Sequence, residues 1–211
     1  TVAAMVESGL RAAGRVTGMI GTVGVVIDGV AHAGARTTPE ATDLHAVLAV
    51  MKEVGVRSVV MEVSSIALEE RRVDGVIYDV AAFTNLSQDH LDYHGTMQAY
   101  FEAKAELFTT GRARRAVIGV DDDWGRALVE QCTIPYDTWS LADPRASWHG
   151  FRAATGLEVV DPHGVSHRLD VPMPGSFNVA NAICAFAILL RAGVDPIDAA
   201  RGIADVRVPG R

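Results

Sequence analysis

Arg57-Ser58-Val59-Val60-Met61-Glu62-Val63 is an almost unbroken apolar run that gives way at once to Ser64-Ser65. Short runs of this kind, set between helices, predict strands buried on both sides in a parallel sheet. Upstream, Thr38-Pro39-Glu40 opens a helix toward Glu53, with Leu44, Val47, Leu48 and Met51 on one face and Gly55 closing it. Before that helix lie two β-rich segments, 16–20 and 23–27, separated by Gly21. Residues 3–13 form an earlier helix, with Met5, Val6 and Leu10 at helical spacing and Gly14 as its stop. Downstream, 79–83 and 116–120 read as strands, and 97–108 and 123–131 as helices.

The pattern changes after Pro135. Residues 136–140, 148–152, 156–160 and 166–171 are short strand candidates separated by Pro, Gly and Asp turns, which predicts a small antiparallel sheet. Helices over 178–190 and 196–203 finish the chain. The expected division is therefore an α/β core at 1–134, a β-rich flank at 135–175 and terminal helices at 176–211. The fold class is α/β, a mostly parallel sheet with a small antiparallel flank. Ligands of open sheets of this type bind beyond the carboxyl ends of their strands.

Composition narrows the function classes. The chain has 211 residues, 49% of them hydrophobic and 21% charged, enough to bury a substantial core and unlike a disordered sequence. The formal charge is −7 with no run of Lys and Arg, which argues against a nucleic-acid surface. Cys132 and Cys184 lie far apart without metal or redox spacing, and Cys184 in its apolar run reads as a small buried hydrophobe. No apolar stretch reaches the roughly 18 residues of a membrane span, and no signal-peptide pattern is present. A cytoplasmic location without a membrane span is the expectation.

Three strand ends carry more polarity than packing requires. Glu62 ends an apolar run beside two serines, which suits a Mg²⁺ or phosphate element and equally a loop carboxylate capping the next turn. Thr84-Asn85-Leu86-Ser87-Gln88-Asp89-His90-Leu91-Asp92-Tyr93-His94-Gly95 packs two histidines and two aspartates into one short loop, a density suited to a divalent metal. Phe101, Lys104 and Phe108 share a helical face. Lys104 is then either a lysine whose stem packs while its amine reaches water, or one with lowered pKa available for chemistry.

Together these segments resemble the Mur ligase family, and within it the ligases that add lysine or diaminopimelate to a UDP-N-acetylmuramoyl-dipeptide. The resemblance rests on Thr37-Thr38-Pro39-Glu40, Met61-Glu62-Val63-Ser64-Ser65, Arg72-Val73-Asp74-Gly75 and residues 82–95. It extends through Ala103-Lys104, Asp121-Asp122-Asp123, Phe177-Asn178-Val179-Ala180-Asn181-Ala182 and Val208-Pro209-Gly210-Arg211. It implies the family's central ATP-binding domain and its chemistry, in which ATP phosphorylates a carboxylate and an amine attacks the acyl phosphate. It also implies Glu62 and His90 as Mg²⁺ ligands, with Lys104 as a carbamylated lysine helping to position a second Mg²⁺ and His90 and Lys104 as the catalytic pair. Thr37, Thr38, Ser64 and Arg72 would hold the UDP-MurNAc-dipeptide, Asn178 would contact adenine, and Arg211 would lie near the ATP phosphates. For Asn178 a helix N-cap is the compatible second role.

The sequence departs from the family in three places. The G-x-x-G-K-[ST] phosphate loop is absent, and Thr1 falls where its helix begins, so the chain reads as a fragment, incomplete at the N-terminus, that would not turn over ATP alone. Ile66 stands where the family usually has His after the paired serines. Glu70 stands where Gln or a small residue often precedes the arginine, and it would be unfavourable there unless it points away or pairs with Arg71. The alternatives are a related amide ligase of the folylpolyglutamate type, and a non-catalytic paralogue that binds the nucleotide-peptide or a partner protein.

Overall fold

The structure, a computed structural model, describes residues 1–32, 34, 36–89, 91–153 and 156–206. Strands β1 (Thr17–Gly21), β2 (Gly24–Ile27), β3 (Val30–His32) and β4 (Ser58–Met61) make one sheet in the order β3-β2-β1-β4. β1 and β2 form an antiparallel hairpin, and β4 joins β1 in parallel. Strands β5 (Ala81–Phe83), β6 (Ala116–Gly119), β7 (Tyr136–Ser140), β8 (Trp148–Ala153), β9 (Gly156–Val160) and β10 (Ser166–Leu169) make a second sheet, in the order β10-β9-β8-β7-β6-β5. Its pairs from β5 to β8 are parallel, and β9 and β10 are added antiparallel. The fold is α/β with a mostly parallel six-stranded sheet and a separate mixed one.

β6 shows why apolar runs fold this way. Its four residues are all buried, and successive side chains go to opposite faces. Ala116 and Ile118 join the core containing Phe101 and Leu128, while Val117 joins the core containing Ile183 and Phe186. The first of these cores lies under helices α2 (Ala41–Glu53), α3 (Ser65–Glu69), α5 (Met97–Ala105) and α6 (Asp123–Gln131), with the short α4 (Leu91–His94) leading into α5. The second lies under α1 (Val2–Ala12), α7 (Ser176–Arg191) and α8 (Pro196–Ala204). α7 is apolar nearly all round and is correspondingly buried, including Cys184, whose thiol burial pushes up to about 12. α1 and α8 touch backbone to backbone: a Cβ on Gly202 would meet Gly9 Cα at 2.3 Å.

Three expectations are revised. Tyr136–Ser140 is a parallel strand of the core sheet, in register from Ala116↔Tyr136 to Gly119↔Trp139, so the break after Pro135 marks the loop entering β7 and the antiparallel part begins beyond β8. That arrangement follows from α6, which supplies the crossover a parallel neighbour requires. The run at 57–63 yields a shorter strand, Ser58–Met61, at the border of its sheet, and Val59 there is 40% exposed. Finally, α7 starts at Ser176 with Gly175 as its N-cap at φ 102°, so Asn178 is not the cap.

Candidate active site

β4 and β5 each end their sheet, and both line one cavity of about 940 Å³. Val2 and Leu10 of α1 and Ile188 of α7 line it too, which gives it an apolar share. Glu62 after β4, Thr84 and Asn85 after β5, Lys104 on α5 and Asn181 on α7 supply polar groups. Tyr78, just before β5, donates its hydroxyl to Met61 Sδ at 3.9 Å and so bridges toward β4; burial pushes its phenol up. Arg191 reaches the cavity while paired through both Nε and Nη2 with Asp137 on β7.

The Glu62 carboxylate is aimed by the β1–β2 turn. Its Oε2 accepts from Thr22 N at 2.9 Å and from Thr22 Oγ1 at 2.8 Å. Gly21 makes room for it, because a Cβ there would lie 2.8 Å from Oε2. Lys104 is partly buried, with Nζ 5.1 Å from the centre of the Tyr100 ring. Burial holds its amine below the ordinary lysine value, and Asp89 acts in the opposite sense. The sequence carried a further signal for this residue: of the 19 Lys and Arg residues, only Lys52 and Lys104 are lysines. Arginine could supply a charge here, but only lysine can supply a nucleophilic neutral amine.

The expected substrate contacts gather around α3. Thr38 is 1% exposed; its Oγ1 donates to Glu62 O and accepts from Ser64 N, both at 3.0 Å, so it braces the loop from inside. Thr37 Oγ1 lies 3.4 Å from Thr22 Oγ1, beside the Glu62 carboxylate. Ser64 caps α3, its Oγ accepting from Ala67 N at 3.1 Å. Arg72 is buried beyond the end of α3, and Nη1 donates to Thr38 O at 3.3 Å. Thr38 therefore joins the Glu62 end of β4 to the Arg72 end of α3.

His94 was legible as polar but not in its role. Its ring lies between Ser65 Oγ, 2.8 Å from Nε2, and Glu69 Oε2, 3.0 Å from Nδ1, and it stacks on Tyr100 at 5.1 Å. Hydroxyl, imidazole and carboxylate in this order could form a nucleophile, yet Ser65 is 1% exposed and closed to substrate. The trio is a clamp that fixes α4 on α3. Asp121 and Asp122 likewise serve backbone N–H groups: Asp122 caps α6 through Gly125 N at 2.7 Å, and Asp121 accepts from Leu141 N at 3.0 Å.

Asn178 lies in the first turn of α7 and donates from Nδ2 to Pro174 O at 2.7 Å; it is Asn181, one turn on, that lines the cavity. His90 and Arg211 lie outside the described residues, as does the Val208-Pro209-Gly210 stretch. Among the described residues no three His, Cys, Asp or Glu side chains gather as a metal site. Glu62, Thr84 and Asn85 along the cavity offer the hard oxygen donors that suit Mg²⁺.

Comparison with known proteins gives the chain a family. The Mur ligase middle domain family matches residues 1–189. The UDP-N-acetylmuramoyl-L-alanyl-D-glutamate–2,6-diaminopimelate ligase of Streptomyces coelicolor is 46% identical over the whole chain, and that of Pseudomonas aeruginosa is 40% identical over 99% of it. The chain spans 43% and 44% of those two proteins. A solved 2,6-diaminopimelate ligase of the same description superposes with a TM-score of 0.90 at 28% identity, covering all of this chain and 45% of that one. Escherichia coli FolC, in complex with DHPP and ADP, shares the fold, with a TM-score of 0.76 at 21% identity over all of this chain and 55% of its own. With the family match spanning nearly the whole chain and the relatives aligned from end to end, the protein belongs to the Mur ligase family.

Proposed function

We propose that this chain is the ATP-binding middle domain of a ligase that adds 2,6-diaminopimelate to UDP-MurNAc-L-Ala-D-Glu during peptidoglycan synthesis in the cytoplasm. The observation that carries this reading is the cavity lined jointly by Glu62 and Lys104, in a chain 46% identical to a diaminopimelate ligase. In the reaction the γ-phosphoryl group passes from ATP to the substrate carboxylate, releasing ADP. The amine of the incoming amino acid then attacks the acyl carbon, losing a proton as phosphate leaves and the amide forms. Such transfer depends mainly on positioning and on neutralising charge.

Arg72, Ser64 and Thr37 are suited to orient the anionic nucleotide-peptide. Thr38 holds these groups in register, and Asn178 and Arg211 are assigned to adenine and the phosphates by resemblance. The neutral amine of Lys104 adds CO₂ to give a carbamate and a proton. Glu62 and the Lys104 carbamate, with His90, would hold Mg²⁺, which when bound neutralises the phosphate charge.

Calorimetry tests this with Mg²⁺-ATP and UDP-MurNAc-dipeptide, using this chain and a version extended upstream through the phosphate loop. ATP binding confined to the extended version is the expected result. Binding of neither ligand to either version favours the second reading, a non-catalytic paralogue that binds a partner protein, for which the contact of Glu70 with Arg72 is the specific support.

A further inference from the structure

The guanidinium suited to grip the substrate is already engaged by this chain's own carboxylates. Arg72 Nη2 donates to Glu70 Oε2, and Glu40 Oε2 lies 3.4 Å from Nε. The Glu40 contact is an ion pair without hydrogen-bond geometry, so among the described residues the buried Nε–H has no properly directed acceptor. Glu70 pairs with Arg72 rather than with Arg71, because Arg71 adopts φ 59° and turns to Asp74 Oδ2 at 2.7 Å. The other Glu70 oxygen accepts from Tyr93 OH at 3.4 Å.

The two sides of this contact differ in exposure. The Arg72 side chain is 8% exposed and braced by Thr38 O, whereas the Glu70 side chain is 40% exposed and the Glu40 side chain 49%. A carboxylate that regains water on leaving costs little to detach. A buried guanidinium deprived of every acceptor costs far more. An exchange of one carboxylate for another is therefore permitted, while an empty guanidinium is not. The unsatisfied Nε–H adds direction, because a planar carboxylate bridging Nε and an Nη would pair it.

We propose that Glu70 is a displaceable competitor for Arg72. It occupies the guanidinium until a substrate carboxylate takes its position, and it then keeps only its contact with Tyr93. Glu70 thereby sets the affinity of this protein for its anionic substrate. The inference rests on the assignment of Arg72 to that substrate.

The test is steady-state kinetics of the full-length ligase with UDP-MurNAc-dipeptide, comparing wild type, Glu70→Gln and Arg72→Lys at low and high salt. The amide keeps the size of Glu70 but removes the competing charge. Glu70→Gln is expected to lower KM about three- to fivefold at low salt, with the gain shrinking as salt rises. An unchanged or raised KM overturns the proposal and makes Glu70 a brace that holds Arg72 in place. Arg72→Lys tests the underlying assignment separately. If its KM does not rise, Arg72 is not a substrate contact, whatever Glu70→Gln does. Thermal unfolding of each variant, expected to match wild type for Glu70→Gln, separates a change in binding from a change in fold.

Discussion

Glu62 follows β4 and Asp121-Asp122 follow β6, so in sequence both are acids at the end of an apolar strand. In the fold they have opposite relations to their surroundings. Asp122 accepts from Gly125 N and Leu86 N, and Asp121 accepts from Leu141 N, Ala142 N and the Ser140 hydroxyl. Those carboxylates complete the local backbone. Among the described residues, Glu62 is held by Thr22 through Oε2 alone, and it borders the cavity with Lys104. The number of acceptor sites already filled, rather than the acid itself, separates a structural strand-end carboxylate from one available to a ligand.

The strongest way to break this contrast is at Lys104, the other half of the cavity pair. In the full-length ligase Lys104→Ala should lower turnover on the order of 100-fold, without rescue by bicarbonate. Near-normal turnover would remove the carbamate from the proposal. Carbamylation itself can be followed with ¹³C-labelled bicarbonate. Burial penalises the ammonium, so the folded chain releases the Lys104 proton at lower pH than the ordinary value of 10.5. The carbamate signal should therefore rise at lower pH than in a lysine peptide. Between the two pKa values the unfolded chain holds more protons, so this group makes stability increase with pH in that window.

How much of this was legible in the sequence depends on the kind of signal. The strands and long helices follow from apolar patterning, which is local: β6 is a short continuous apolar run and α7 a long one. Neighbours across a sheet are not local. Nothing in Tyr136–Ser140 declares that it joins β6 in parallel, and nothing in Ser58–Met61 declares an open edge. Of the site, Glu62 and Lys104 stood out as polarity at the wrong place and are brought to one cavity. For Glu70 the sequence left open pointing away or pairing with Arg71; it pairs with Arg72 instead, while Arg71, at φ 59°, turns to Asp74, and spacing cannot foresee that. His94 was visible within a polar cluster, but its commitment to Ser65, 29 positions away, and to Glu69 needs contacts that are not local.

Next in size is Glu62→Gln, which sharpens the contrast by changing charge and little else. Glutamine can still accept from Thr22, so the β1–β2 turn should persist and Tm should stay within about 2 °C of wild type. Turnover of the full-length ligase should fall about 10- to 100-fold if the negative charge serves a bound metal. A variant with lost stability and intact turnover would instead make Glu62 a turn residue like the aspartates.

The smallest effect is expected on the structural side of the comparison. Asp122→Ala removes the acceptor for Gly125 N at the start of α6, and the usual cost of such a cap is about 1 kcal/mol, or about 2–4 °C in Tm for a domain of this size. ATP affinity and turnover should be retained, because Asp122 faces backbone N–H groups. Asp122→Asn provides the control: asparagine keeps an oxygen for Gly125 N but cannot also accept from Leu86 N, so its Tm should lie between those of wild type and the alanine variant. Both variants leave Glu62 and Lys104 untouched. If Asp122→Asn kept the stability but lost ATP turnover, charge rather than capping would be what Asp122 supplies. The acids after β6 would then belong to the site beside Glu62, and the division between the two strand ends would fail.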